Sequence, residues 1–446
     1  MAGILEEVQT AMSRGGGRLY SGTSPGGLAL TDPEQALLVL GPPRSGKTTS
    51  LVVPNTLLAP GAVVSTSTKT DVLAATVARR LGRGRCWLLD PTGTIDPPDG
   101  VEPIRWSPVA SARTWEESLV LARSLAGAAR PSGRSGESAH WTERAEALLA
   151  PLLHAAHLQG SGMDVVVGWI LRQELGPAMA VLAGEGLRLA GDVLRGIDST
   201  DSREQSGIWS SAAGLLAAYR SERVLDRSDP ANFDPASLAA TTDTVYVCAP
   251  ARHQDLVAPV VVAFLDQVRA GALASTTSGR PHLTLVLDEL ANIAPIPDLA
   301  SLVSEGGGQG VLTVGVLQDL SQARSRWGVA AEGFLSLFGA KLVLPGIADL
   351  RTLELVSQLG GEVDVPARSI SRGPWWAAGR GGATVSWSGH RQRRLPVDLV
   401  RHQPRGSAVI LSGSDHPEQV RLPPWWTLEI LRSGGHTPSP DRSIER

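Results

Sequence analysis

A short, uninterrupted apolar run, Ala36-Leu37-Leu38-Val39-Leu40, leads directly into Gly41-Pro42-Pro43-Arg44-Ser45-Gly46-Lys47-Thr48. The octapeptide matches G-x-x-x-x-G-K-[ST], and it sits where that pattern has meaning, between a buried strand and the start of a helix. Its glycines allow backbone N–H groups to close around phosphate at a helix N-terminus, where the dipole favours anions. Lys47 is then placed for the β- and γ-phosphates of ATP, and Thr48 offers a hydroxyl to Mg²⁺. With Thr49, the expected nucleotide-binding set is Gly41, Pro42, Pro43, Arg44, Ser45, Gly46, Lys47, Thr48 and Thr49.

Such a loop requires an acidic partner, expected on a neighbouring strand. His282 to Leu287 is an apolar strand that ends in Asp288-Glu289. Asp288 is the candidate Mg²⁺ ligand with Thr48, and Glu289 the candidate for activating water. The next strand, Val311 to Leu317, ends in Gln318, either a γ-phosphate sensor or a helix cap. Asp90, followed by Pro91, reads as structural. Lys69 and Asp71, at the start of a helix, face either phosphate or solvent. His140, His154, His157 and His253 lack metal-ligand spacing.

The remaining pattern is strand alternating with helix. Strands are expected at 62–65, 86–89, 244–248, 311–317 and 342–344, and helices at Asp71 to Leu81 and Leu256 to Ala270. This argues for an α/β fold with a parallel-rich central sheet. Lys47 and Asp288 are 241 residues apart, far more than a few strand–helix units of roughly 30 residues each require. The excess is helical in period, with Leu119, Leu121, Ala122 and Leu125 followed by Leu148, Leu149, Leu152 and Leu153; Val165-Val166-Val167 is its one β-branched run. An all-α domain at 110–235 therefore interrupts a nucleotide-binding domain of two parts, 31–109 and 236–432. A flexible, glycine-rich segment at 1–30 and a disordered tail at 433–446 flank them. Edge strands are expected near 383–388 and 408–412.

Composition narrows function further. The net charge is −3, which excludes a globally basic nucleic-acid-coating protein. Over residues 111–235 there are 16 acidic and 12 basic side chains, so the helical segment is acidic. Two cysteines cannot build a disulfide scaffold, and cytosolic residence is the default. No run of 18 apolar residues and no signal-peptide core is evident, so a transmembrane helix is not expected. Only three of the 41 basic residues are lysine. Arg324 and Arg326, after Gln318, are either the arginine a neighbouring subunit lends to the site or exposed helix arginines, and read as the latter. Arg391, Arg393 and Arg394, near Trp375, Trp376 and Trp387, are either a nucleic-acid or subunit contact or a solvated loop beside buried tryptophans.

Taken together, several blocks resemble the type IV secretion coupling proteins of the TraG/TraD-like family. These are Arg44-Ser45-Gly46-Lys47-Thr48-Thr49-Ser50 running into Val53-Pro54-Asn55, Leu287-Asp288-Glu289-Leu290-Ala291-Asn292 with Ile296-Pro297-Asp298-Leu299, and Val316-Leu317-Gln318-Asp319-Leu320-Ser321-Gln322. Trp141 resembles the aromatic at the entry to that family's all-α domain. The resemblance covers residues 34–413.

It implies a RecA-like P-loop ATPase that assembles as a homo-hexamer with ATP between subunits. Its all-α domain receives a relaxase–DNA substrate or another secreted protein, and the ring delivers conjugative DNA to a type IV secretion channel. Family members usually carry N-terminal membrane helices, which are not seen here. The expectation is therefore a soluble form, cytoplasmic and peripheral at the inner face of the membrane through a membrane anchor or channel components. The block after the second strand departs from the family as Ser67-Thr68-Lys69-Thr70-Asp71. An arginine often found before the glutamine strand is replaced by Glu305-Gly306-Gly307-Gly308-Gln309, so no trans arginine carries over. Two other readings stay open: a soluble FtsK-like pump for double-stranded DNA, and a nucleotide-dependent adaptor that recruits protein substrates.

Overall fold

The computed structural model describes residues 2–129, 136–275, 283–371 and 384–432. The strands in chain order are β1 (Tyr20–Ser24), β2 (Gly27–Leu30), β3 (Leu37–Leu40), β4 (Ala62–Ser67), β5 (Cys86–Leu89), β6 (Val101–Pro103), β7 (Thr244–Cys248) and β8 (Leu283–Leu287). They continue as β9 (Val311–Leu317), β10 (Ala340–Val343), β11 (Glu362–Ser371), β12 (Thr384–Arg393), β13 (Ser407–Ser412) and β14 (Glu418–Arg421). One 12-stranded sheet has the order β2-β1-β14-β13-β10-β3-β9-β8-β4-β7-β5-β6. From β10 to β6 all neighbours are parallel, whereas β13, β14, β1 and β2 add an antiparallel flank.

Every residue of β3, β8 and β9 is buried, as parallel strands covered on both faces require. Alternate residues enter opposite cores. Leu38, Leu40 and Leu285 join the core shared with the long helical segment, and Leu37, Val39 and Val286 join the core under the helix that follows the Gly41–Thr48 loop. Between β6 and β7 lie the helices Trp115–Ala128, Gly136–Leu158, Met163–Arg172, Gly176–Gly184, Arg188–Asp198 and Ser202–Leu215. Gly207 leaves room for the Trp141 ring, which a Cβ there would strike. Contacts from Trp106 to Phe264 and from Trp87 to Phe233 join this region to the sheet side. The helix Gln254–Ala274 lies within a stretch apolar and long enough to cross a membrane by length and composition, yet Val261, Phe264 and Val268 are fully buried in the core.

Several expectations are overturned. Residues 1–30 are not irregular: Ala2–Ser13 is helical and β1 and β2 extend the sheet, with Met12, Leu19 and Tyr20 buried. Val165–Val167 belongs to a helix, because Val166, Val167, Trp169 and Ile170 form its buried face. β13 is interior to the sheet, paired with both β10 and β14, and β12 pairs with β11 in a separate two-stranded ribbon. His282, Trp375, Trp376 and the tail from Ser433 lie outside the described residues.

Candidate nucleotide site

The C-terminal ends of three adjacent parallel strands build the site. The acidic strand is not the immediate neighbour of β3: β9 lies between β3 and β8, so Gln318 sits between the Gly41 loop and Asp288. The loop is anchored at its start, where Gly41 N–H donates to Leu317 O (3.2 Å). Arg44 and Gly46 have φ of 63° and 92°, the left-handed backbone that turns N–H groups inward. A Cβ at Gly41 would come within 2.8 Å of Ser45 Oγ and 3.0 Å of Leu344 Cβ, so only glycine fits.

The following helix opens with a wide turn, Thr48–Val52, before the α-helix Val53–Leu58. Pro54 has no N–H to donate four residues back, which favours that wider turn. Asn55 fixes the helix to β1. Its side chain accepts from Tyr20 N–H (2.9 Å) and donates to Tyr20 O and Leu51 O (both 2.9 Å), fully buried.

Lys47 Nζ donates to Gly41 O (2.6 Å) and Pro42 O (2.8 Å), so its ammonium is folded over its own loop. Burial lowers its pKa, opposed by Asp288 and Glu289. Thr48 Oγ1 donates to Asp288 Oδ2 (3.1 Å). Asp288 is buried, and burial with Glu289 beside it pushes its carboxyl up to about 6 against the pull of Lys47 and Thr48. Thr66 of β4 donates to Asp288 O (2.8 Å), fixing the strand end. Glu289 has φ 54°, a strained left-handed position for a residue with a side chain. Its Oε2 accepts from Asn292 Nδ2 (2.8 Å). Gln318 is half-buried, and its N–H donates to Gln322 Oε1 (2.9 Å).

This donor set fits a nucleotide with a divalent cation. Ser45 Oγ is buried without a partner in the loop, the two left-handed residues form an anion cradle, and Thr48 with Asp288 pairs a hydroxyl with a carboxylate, the oxygen ligands a hard cation takes.

Other candidates stand apart. Lys69 and Asp71 are exposed after β4, and Asp71 accepts from Val72 N–H (2.9 Å). Asp90 accepts from Thr92 N–H, Thr94 N–H and Ile95 N–H at 2.7–2.8 Å, holding its own turn. Arg324 and Arg326 are not exposed helix arginines. Arg324 pairs with Asp349 (2.6 Å) where both are about four-fifths buried, and Arg326 donates to Ala128 O. Arg391 and Arg393 face Glu362, Asp364 and Glu354 of the same chain. In the glycine loop 306–308, a Cβ at Gly307 would collide with Glu34 O, so a bulky side chain has no room there. His154 and His157 bond Ala112 O and Val109 O (both 2.9 Å), tying their helix to the segment before it. Among the described residues no cluster suits a protein-only metal site. Reading the residues singly gave Asn55, Thr66 and Asn292 no role; Asn55 and Asn292 had stood within resembling blocks.

A model of the family described as type IV secretory system conjugative DNA transfer matches residues 4–439. No curated protein matches the chain. Solved structures do. The bacterial conjugative coupling protein TrwBdeltaN70, unbound, is 20% identical, covers 94% of this chain and 91% of that one, and has a TM-score of 0.72. Plasmid coupling protein TrwB in complex with ADP and Mg²⁺ is 20% identical over 94% and 92%, with a TM-score of 0.69. Its complex with the non-hydrolysable ATP analogue ADPNP is 21% identical over 88% and 86%, with a TM-score of 0.67. At this identity the likeness establishes the fold, a RecA-like α/β P-loop architecture.

Proposed function

Because the chain belongs to the type IV secretory system conjugative DNA transfer family, we propose that it is the ATP-hydrolysing coupling protein that moves conjugative DNA to a secretion channel. The observation that carries this reading is the convergence of Lys47, Thr48, Asp288, Glu289 and Gln318 on the ends of three adjacent strands.

The loop from Gly41 to Thr49 binds the phosphates of ATP. Lys47 exchanges its two loop carbonyls for phosphate oxygens, so its charge is kept at the site before nucleotide arrives. Thr48 Oγ1 and Asp288 hold Mg²⁺, which when bound supplies charge neutralisation along the phosphate chain. Glu289 takes the proton of the attacking water, and Asn292 fixes the Oε2 side of that carboxylate. Gln318, between the loop and the acidic strand, reads the γ-phosphate. TrwB, a protein of the same fold, has been seen with ADP and Mg²⁺, which supports this assignment.

Arg324 and Arg326 are tied up within the chain, so neither is the cation that a neighbouring subunit would lend to the transition state. The homo-hexameric ring with ATP between subunits follows from the family reading alone. We assign residues 110–235 as the inserted domain that receives the relaxase or another secreted protein; its 16 acidic and 12 basic residues suit a protein ligand better than a phosphate backbone. The ring would work at the cytoplasmic face of the membrane, docked through an anchoring partner or channel components.

The test is ATP turnover of the purified chain with and without single- and double-stranded DNA, beside Lys47→Ala. DNA-stimulated turnover that vanishes in the variant is expected. Turnover indifferent to DNA would transfer the reading to a protein-recruiting adaptor.

A further inference from the structure

The sheet continues past the phosphate loop on the side away from Asp288, in the order β13-β10-β3-β9-β8. Gln318 and Asp288 stand on the β9 and β8 side of the loop, where the terminal phosphate and its cation belong. A phosphate chain that ends there leaves the nucleoside on the other side, over β10 and β13.

The chain covers that side between β12 and β13, through the helix Val397–Arg401 and the turn after it. Gly346 N–H donates to Arg401 O (2.9 Å), and a Cβ at Gly346 would lie 3.3 Å from Pro42 Cγ. One glycine therefore separates the phosphate loop from the segment that carries His402 and Gln403. That segment lines a cleft of about 340 Å³, within the size range of small-molecule sites. Leu395, Leu399, Pro404 and Val409 supply apolar walls, and Leu399 is 50% exposed.

The cleft holds one polar group that is fixed yet unpaired. Gln403 is 8% exposed. Its Nε2 donates to Val400 O (2.8 Å) and Val343 O (3.2 Å), which settles the orientation of the amide. Its Oε1 is buried and has no partner. An acceptor left unpaired in such a place is costly, so the site calls for a donor. Glu418 also lines the cleft. A carboxylate there disfavours phosphate and suits an uncharged group.

We infer that this cleft takes the purine base of ATP, with Gln403 Oε1 accepting from the 6-amino group and the apolar walls covering the ring. Adenine offers an N–H donor at the position where guanine has a carbonyl oxygen. That oxygen would face Oε1 acceptor to acceptor. Gln403 is thus the residue that selects adenine over guanine. The inference rests on the reading of Gly41 to Thr49 as an ATP site, and extends that site to the base.

The test is calorimetric binding to the full chain with Mg²⁺, comparing ATP, GTP, purine riboside triphosphate and inorganic tripolyphosphate. ATP should bind about tenfold more tightly than GTP, and than purine riboside triphosphate, which lacks only the amino group. Gln403→Leu should erase both differences, while tripolyphosphate, which occupies the phosphate loop alone, binds as before. Because Gln403 also holds two backbone carbonyls, Leu399→Ser provides a second variant, at a half-exposed wall. It should weaken ATP by about fivefold and spare tripolyphosphate. Equal affinity of the unaltered chain for ATP and purine riboside triphosphate, or for ATP and GTP, would overturn the inference and leave the phosphate-loop reading intact. So would a Gln403→Leu variant that still discriminates among them. A full chain that binds neither ATP nor tripolyphosphate would overturn both.

Discussion

Thr48 Oγ1 donates to Asp288 Oδ2 at 3.1 Å, linking two residues 240 positions apart across an intervening strand. The bond holds hydroxyl and carboxylate at a spacing one divalent cation can bridge. Thr48→Ala should therefore lower Mg²⁺-dependent turnover by about a hundredfold, while Thr48→Ser should retain most of it. Turnover measured against Mg²⁺ concentration checks this. An alanine variant with an unchanged Mg²⁺ requirement would remove Thr48 from the metal site.

Glu289 is aimed by a left-handed backbone and by Asn292 Nδ2 at 2.8 Å. Glu289→Gln keeps shape and hydrogen bonding but loses the base, so turnover should fall by about 10²–10⁴ with nucleotide binding retained. Asn292→Ala should cost less, about tenfold in turnover, because it frees the carboxylate without removing it. Binding of a fluorescent nucleotide beside steady-state turnover separates these effects. Parallel loss of binding and turnover in Glu289→Gln would argue against a base.

The parts of the site that were legible are those where a largely apolar strand stops at a glycine or a polar residue. Leu40 into Gly41, Leu287 into Asp288 and Leu317 into Gln318 each have that form, because a strand buried on both faces must be apolar to its end. Strand order was not legible: nothing local states that β9 lies between β3 and β8. β1 and β14 were missed because they are short and alternate with glycine or charge, as Ser21-Gly22 and Glu418-Gln419 show. Arg324 read as a solvated helix residue because its partner, Asp349, is 25 positions away and meets it only in the fold. Val165–Val167 carried strand propensity, yet the helix face formed with Trp169 and Ile170 outweighs it.

Asn55 replaces a missing strand neighbour for Tyr20, bonding both its N–H and its carbonyl from 35 residues away. Asn55→Ala would leave those buried backbone groups unpaired, at a cost of roughly 2–4 kcal/mol. The loss should appear as a lower midpoint in thermal or denaturant unfolding. Bound nucleotide should raise both midpoints by a similar amount if the phosphate loop in front of this helix is undisturbed. A midpoint within error of the unaltered protein would mean that β1 is held by other contacts.

Asp349 caps the helix Leu350–Leu359 and pairs with Arg324. Partial burial raises its pKa, but the Thr352 hydroxyl, Arg324 and the Thr352 N–H outweigh it, and the carboxyl lies below its ordinary range. A group depressed in the folded state stabilises the fold above its unfolded pKa, about 4 for aspartate, and this contribution disappears as pH falls through the folded value. Asp349→Asn should therefore lower the unfolding temperature at pH 7, and the gap should narrow steadily below about pH 4. Unfolding of both proteins from pH 7 to pH 3 provides the comparison. A gap that stays constant with pH would show that shape and hydrogen bonding, rather than the charge of Asp349, hold the helix start against Arg324.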